Sequence, residues 1–287
     1  MRVAHDVQEL QPRPRAVALG TFDGVHLGHR RVLDAARAAG LAATVVTFDP
    51  HPRVALGYEV ELLTTLERRL ELIAEAGIQE ALVVEFDLEL ARLGPEEFAE
   101  TVLRPIGTEV VLAGANFRFG RGRTGDLALL RKLGFDARGV PLVEGVSSSR
   151  IRDFVRAGEV ERAARLLGRP PELDGTVVAG DARGGTLGFP TANLRVNPRL
   201  LVPVLGIYAG ATEGTRAAIS IGTNPHYGGE ERRIEAYLLD FEGDLYGRRL
   251  VVELWQRLRD ERAFPSEEDL VAQIARDVQE TRAARRP

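Results

Sequence analysis

The feature that most narrows the fold is a change of rhythm at Arg169-Pro170-Pro171. Up to about residue 143, short apolar runs alternate with amphipathic helical stretches. Past the prolines, strand-like runs follow one another across glycine turns. Alternation of strand and helix implies a parallel sheet covered by helices. Short strands separated only by turn signals imply a small barrel or sandwich. The prolines therefore mark a domain boundary, giving domains 1–169 and 170–287, and a chain of 287 residues is long enough for both.

In the first domain, strands are expected at 16–19, 42–48, 81–86, 109–113 and 137–143, with residues 1–14 an edge strand or a loose arm. Helices are expected at 30–39, 64–76, 96–103, 126–133, 147–158 and 160–167. In the second domain the strands fall at 173–179, 206–212, 217–221, 234–241 and 248–255. A closing helix over 266–281 carries an apolar stripe of Leu270, Ile274 and Val278. The first strand, AVAL, runs into GTFDG and then HLGH before a helix. A strand that ends in a glycine-rich turn and feeds a helix start offers backbone N–H groups and the positive end of a helix dipole to an anion. His26 and His29 lie three apart, on one side of a helical turn. Gly28 between them, lacking a Cβ, lets a bulky anion approach the backbone. A nucleoside triphosphate site is the functional reading; the plain alternative is one histidine capping the helix and the other solvated.

Open parallel sheets bind ligands at the carboxyl ends of their strands. Three unusual stretches fall there: the turn just described, Phe48-Asp49-Pro50-His51-Pro52 after the second strand, and Gly114-Ala115-Asn116-Phe117-Arg118-Phe119-Gly120 after the fourth. His51 is either a loop hydrogen bonder or a site residue. Ser147, Ser148 and Ser149 open a helix, a capping role for which serine suits. In the second domain, Gly180 to Gly188 holds four glycines in nine residues. Such a loop either presents N–H groups to phosphates or is a hairpin tip. Glu235 sits in an apolar strand and by alternation shares a face with Tyr237, opposite Ile234 and Ala236.

Composition excludes several classes. The chain has no cysteine, hence no disulfide and no thiolate metal site. No secretory signal or membrane-length apolar run is read, so a cytoplasmic protein without a membrane partner is expected. The net charge of −4 argues against nucleic acid. Lys132 is the only lysine among 38 basic residues, a bias that genome composition explains better than function. A homo-oligomer stays open.

Taken together, the strings GTFDGVHLGHR, TFDPHP, GANFRFGRGRTG and SSSRIR, then GDARGGTLGFPTANL, GIYAG, SIGTNPHYGG, IEAYLLDFEGDLYG and LRDERAF, resemble the prokaryotic bifunctional riboflavin kinase/FMN adenylyltransferases, or FAD synthetases. The resemblance covers nearly the whole chain. It implies a Rossmann-like α/β nucleotidyltransferase domain followed by a six-stranded β-barrel kinase domain with a C-terminal helix. Riboflavin would be phosphorylated to FMN and FMN adenylylated to FAD, with ATP, riboflavin and FMN as substrates and Mg²⁺ as cofactor.

The resemblance also assigns roles. His26, His29 and Arg152 would act in adenylyl transfer, the histidines on ATP and Arg152 on the leaving phosphates. Gly20, Phe22, Asp23, Gly24 and Gly28 would line the ATP turn, with Ser147 and Ser148 completing the phosphate contacts. Phe48, Pro50, His51, Asn116, Phe117 and Arg118 would meet the flavin. In the kinase half, Gly180, Gly184 and Gly188 would cradle phosphates, Thr191 and Asn193 would meet Mg²⁺, and Glu235 would be the base for the ribityl 5′-hydroxyl. Three positions depart from the family: Ser149 replaces a threonine, Gly185 a basic residue and His226 a threonine. Two rivals remain: a different H-x-G-H adenylyltransferase acting on nicotinamide or pantetheine phosphates, and a flavin-binding protein with a dead catalytic centre.

Overall fold

A run that is apolar without alternation suits a strand buried on both faces, and β2 (Arg15–Leu19) is buried at every position. The computed structural model describes residues 1–180, 188–223 and 232–287. Around β2 lie β1 (Arg2–Ala4), β3 (Ala42–Asp49), β4 (Glu80–Glu85), β5 (Thr108–Gly114) and β6 (Asp136–Val140). They form one parallel sheet in the order β1-β4-β3-β2-β5-β6. The amino-terminal segment is thus an edge strand, and β6 stops three residues short of its expected end.

Strand alternation divides β2 between two cores. Ala16 and Ala18 pack with Val45 and Leu112 beneath α1 (Leu27–Ala38) and α3 (Leu66–Glu75). Val17 and Leu19 face the other way, onto Phe98, Leu103, Leu127 and Leu130. Helices α5 (Pro95–Phe98) and α6 (Leu127–Lys132) supply part of that cover. Two short helices escaped the sequence reading: α2 (Pro52–Ala55), where Pro52 occupies a first-turn position that needs no N–H, and α4 (Leu88–Arg92). At the amino ends of the strands, away from the motif loops, Arg15 donates to Glu80 at 3.0 Å in a buried pair. Burial alone would raise the Glu80 carboxyl; hydrogen bonds from Arg15 and Arg13 outweigh it and hold it below the usual carboxylate range.

The second half forms a closed antiparallel barrel, β10-β11-β8-β7-β12-β9. Its strands are β7 (Glu172–Val178), β8 (Ala192–Val196), β9 (Gly206–Thr212), β10 (Thr215–Thr223), β11 (Arg232–Leu238) and β12 (Arg249–Arg259). Ile234, Ala236 and Leu238 fill the interior with Tyr208, Ile219 and Val252. The six-stranded barrel matches the fold that the resemblance implied; β8 was missed by reading periodicity alone. Helix α9 (Glu267–Ala283) docks through only part of its expected stripe, Val278, together with polar residues beside it. Leu270 and Ile274 are only half-buried, whereas Gln273, Asp277, Val278 and Thr281 are buried. Arg259 forks onto Asp277 at 2.7–3.1 Å and Arg216 donates to the carbonyls of Thr281 and Ala284.

As compact units the chain divides at Ser147/Ser148: one unit is Met1–Val60 with Leu66–Ser147, the other Glu61–Thr65 with Ser148–Pro287. Helices α7 (Ser148–Arg156) and α8 (Val160–Leu167) go with the barrel in this division, since Ile151, Val155, Ala163 and Leu167 bury with Leu201. Segment 61–65 joins them: the Leu62 N–H donates to the Arg199 carbonyl at 2.6 Å, the Leu62 carbonyl accepts from the Leu201 N–H at 2.8 Å, and the Thr65 hydroxyl donates to Asp174. Among the described residues, no helix is long and apolar enough to cross a membrane.

Candidate functional site

In the sheet unit, β2 is flanked by β3 on one side and β5 on the other, and the strand order reverses between β2 and β5. Ligands on open α/β sheets bind at such a switch point, beyond the carboxyl ends. The stretches after β2, β3 and β5 are the three singled out by sequence.

The turn after β2 is conformationally unusual. Phe22, Gly24 and Val25 all have positive φ, at 52°, 80° and 39°. For a β-branched valine this is a true outlier. Such strain costs of order 1–3 kcal/mol per residue and clusters at ligand sites, where the surroundings enforce it. Phe22, Asp23 and Val25 are all buried. The chain then enters α1, with His26 as its cap: Nδ1 accepts from the His29 N–H at 3.2 Å. Capping by histidine, the plain alternative, is therefore real. It also sets the tautomer, because a ring whose Nδ1 accepts carries its proton on Nε2 when neutral and donates from there. The two imidazoles stack, centroids 3.6 Å apart and 13° between planes, and Phe22 meets His29 edge-on at 5.3 Å. Gly28 also gives clearance within the turn: a Cβ there would lie 3.1 Å from His26 Cε1. The glycine makes room for the capping ring.

After β3, Phe48 is buried and His51 caps α2 through Nδ1, accepting from the Arg53 N–H at 3.2 Å; Pro50 is exposed. After β5, Asn116 and Arg118 are exposed and Phe117 is half-buried, stacked on Phe119 at 5.7 Å. Phe119 in turn touches Phe98, and Phe98 touches Phe48. An aromatic train thus joins the ends of β3 and β5. Ser147 closes the sheet unit and is exposed. Ser148 and Arg152 lie on α7, in the barrel unit, where Arg152 Nε donates to the Glu61 carbonyl at 2.7 Å.

Sequence reasoning missed Arg69. It is 3% exposed, yet its guanidinium donates to the carbonyls of Thr21 and Phe48 at 2.9 and 3.0 Å. Burial lowers its pKa, and the carboxylates of Asp23 and Asp49 counter that. The available signal was its helical phase: residues 66, 69 and 73 share the apolar face of α3.

The barrel carries a second cluster, on its outer face. Glu235 and Tyr237 do share a face, opposite Ile234 and Ala236, and Glu235 is half-buried. It stands directly across from Asn193 on β8. Arg233, also missed, joins them: Nη2 is 2.8 Å from Glu235 Oε1 and Nε donates to Asn193 Oδ1 at 3.2 Å. Its signal was parity, since an arginine two residues before a strand glutamate lies on the same face. A Cβ on Gly180 would fall 2.1 Å from Asn193 Nδ2, so Gly180 is the floor on which that amide rests. Thr191 is half-buried just before β8, and Gly188 is exposed with φ 84°. Phe189 packs edge-on against Tyr237 at 5.4 Å. Gly184, Gly185 and His226 lie outside the described residues. Among the described residues, no group of His, Asp or Glu side chains is arranged to hold a metal by itself.

Comparison with known proteins gives a consistent result. A family model described as FAD synthetase matches residues 8–150, and one described as riboflavin kinase matches residues 167–285. A curated bifunctional riboflavin kinase/FMN adenylyltransferase from Listeria monocytogenes is 39% identical over 94% of this chain and 92% of its own. One of the same name from Escherichia coli K12 is 35% identical over 96% and 95%. A crystal structure described as a macrolide-efflux protein from Streptococcus pneumoniae superposes with a TM-score of 0.87 at 33% identity, covering 98% of each chain.

Proposed function

The chain belongs to the family of bifunctional riboflavin kinases/FMN adenylyltransferases, and from that premise we propose how its residues divide the work. It phosphorylates riboflavin to FMN and transfers an adenylyl group from ATP to FMN. The observation that carries the division is that each matched stretch has its own polar cluster on its own kind of fold: stacked histidines at the switch point of a parallel sheet, and Glu235 with Arg233 and Asn193 on a barrel wall.

For adenylyl transfer, a phosphate oxygen of FMN attacks the α-phosphorus of ATP, and the bond to the β-phosphate's bridging oxygen breaks as pyrophosphate leaves. The protein's task is to bring two anions together and neutralise charge as it develops. We assign that task to His26 and His29, with Gly20, Phe22, Asp23, Gly24 and Gly28 shaping the turn. Ser147, Ser148 and Arg152 are proposed for the leaving phosphates. The flavin is given to Phe48, Pro50, His51, Asn116, Phe117 and Arg118; the aromatic train through Phe117, Phe119, Phe98 and Phe48 supports this, because an isoalloxazine ring needs a flat apolar partner.

For phosphorylation, the ribityl 5′-hydroxyl attacks the γ-phosphorus, its proton passing to Glu235 as ADP leaves. Arg233 holds the carboxylate in place. Thr191 and Asn193 offer a hydroxyl and an amide oxygen, a hard-oxygen set that fits Mg²⁺ shared with substrate phosphates. When bound, the ion would neutralise phosphate charge. Gly180, Gly184 and Gly188 are proposed for the phosphate loop. The catalytic limits are taken as 1–169 and 170–287. The proposal includes no nucleic acid or membrane partner, admits a homo-oligomer, and places the reactions in the cytoplasm.

Incubation with riboflavin, ATP and Mg²⁺, followed by separation of the flavins, is expected to yield FMN first and FAD after it. Chelation of the metal is expected to stop the first step. Riboflavin recovered unchanged in the presence of Mg²⁺ rules the proposal out. A sharper check uses Gly180→Ala. The new methyl displaces only the end of the Asn193 side chain, so the fold survives while the amide leaves Arg233. Kinase turnover should fall about tenfold, as expected for a misplaced site group, with adenylylation unchanged. Equal loss of both activities would mean that the glycine serves folding alone.

A further inference from the structure

We infer that Arg69 is a positioning residue for adenylyl transfer, clamping the end of β2 to the end of β3 so that the histidine turn and the flavin-side segment keep one geometry. The inference rests on the assignment of the His26–His29 turn to ATP.

The geometry is specific. The fork of Arg69 spans two carbonyls on neighbouring parallel strands, Thr21 just past β2 and Phe48 one residue before the end of β3, at 2.9 and 3.0 Å. The Thr21 carbonyl also accepts from the Thr47 hydroxyl at 3.1 Å, so this turn residue is tied to β3 directly and, through Arg69, to Phe48. Phe22, Gly24 and Val25 follow in left-handed backbone. A turn in such a conformation relaxes unless its surroundings hold it, and Arg69 is the strongest donor among those ties. On the other side, Phe48 leads directly into Asp49, Pro50 and His51, with Asp49 3.8 Å from the guanidinium. One buried cation therefore fixes both banks of the proposed adenylyl-transfer cleft.

Packing alone does not account for the choice of residue. The position shares a helix face with Leu66 and Ile73 and is almost wholly buried, so an unbranched apolar side chain would fill it. Burying a charge is costly, and replacing a buried ionic group by a well-packed apolar one is often neutral or stabilising. The arginine is better explained by the two carbonyls it orders, which a planar fork holds in one fixed geometry and a rotatable ammonium on a flexible stem does not.

The test compares Arg69→Met and Arg69→Lys with the parent enzyme, measuring both activities on each preparation. Because riboflavin phosphorylation belongs to the other compact unit, it reports independently that the protein is folded. In Arg69→Met, kcat for FAD formation should drop about thirtyfold or more, the scale expected when reacting groups shift by about an ångström. KM for FMN should move by less than about threefold, since the lost effect is one of geometry in the transition state. Arg69→Lys should recover to within about tenfold of the parent, one carbonyl being held. Parent-like kcat in Arg69→Met overturns the inference, as does parallel loss of both activities in both variants. His29→Ala run alongside separates the premise from the inference: if it retains full adenylylation, the site assignment is wrong, whereas impairment of His29→Ala alone rejects only the role of Arg69.

Discussion

Replacing Glu235 by alanine lowers riboflavin phosphorylation by about 10²–10⁴-fold, the range for removal of a positioned general base, and leaves FMN adenylylation at its parent rate. The expectation follows from where the strand places this carboxylate. It projects from the outer face of β11, opposite Asn193 and 2.8 Å from the Arg233 guanidinium, and it is neither buried in the barrel interior nor fully solvated. An ion pair at that exposure contributes little to stability, typically within about 1 kcal/mol, so loss of Glu235 should not unfold the barrel. Alanine does leave Arg233 without its carboxylate. Glu235→Gln controls for this, because the amide oxygen still accepts from Arg233 but takes up no proton. Both variants should therefore lose kinase turnover alike. Kinase rates within about threefold of the parent in either would reject the base assignment, and a defect in alanine but not glutamine would reduce Glu235 to an anchor for Arg233.

Much of this arrangement was legible in the sequence because its signals were local. An unbroken apolar tetrapeptide, a glycine turn and a helix start place β2 and the histidines without any tertiary information. Strand parity placed Glu235 beside Tyr237. Other features depend on long-range contacts that no local pattern encodes. β8 is five residues of mixed character, and only its pairing with β7 and β11 makes it a strand. Arg69 is one arginine in a chain where nearly every basic residue is arginine, so its chemistry is hidden by abundance, and only its phase on α3 betrays it. Of the apolar stripe read on α9 only Val278 is buried, and beside it Asp277 is buried because the Arg259 guanidinium satisfies its carboxylate. The union of segment 61–65 with the barrel unit rests on bonds between residues more than a hundred positions apart. The sequence shows the glycines of these turns but not what stands against them. Gly28 and Gly180 yield space to the neighbouring side chains His26 and Asn193, which are themselves site candidates.

The complementary result is expected from His29→Ala: FAD formation falls by about 10²–10³-fold, the usual cost of losing one donor to developing charge, and riboflavin phosphorylation continues unchanged. His29 contributes in two ways, and the variant separates them. Its backbone N–H is the group that His26 Nδ1 caps, and alanine keeps that N–H, so α1 should retain its start. Its ring stacks on His26 at 3.6 Å and meets Phe22 edge-on; alanine removes both contacts and the ring's donor. If the stack mattered only for holding the turn, a flat apolar ring would serve as well, and His29→Phe would restore activity. If the imidazole acts on phosphate, His29→Phe stays as slow as alanine, whereas His29→Asn, which keeps a short N–H donor, recovers part of the loss. Fast adenylylation by the phenylalanine variant would therefore remove His29 from the chemistry. The kinase rate on the same samples shows that any loss arises at the sheet's switch point and not from damage to the chain as a whole.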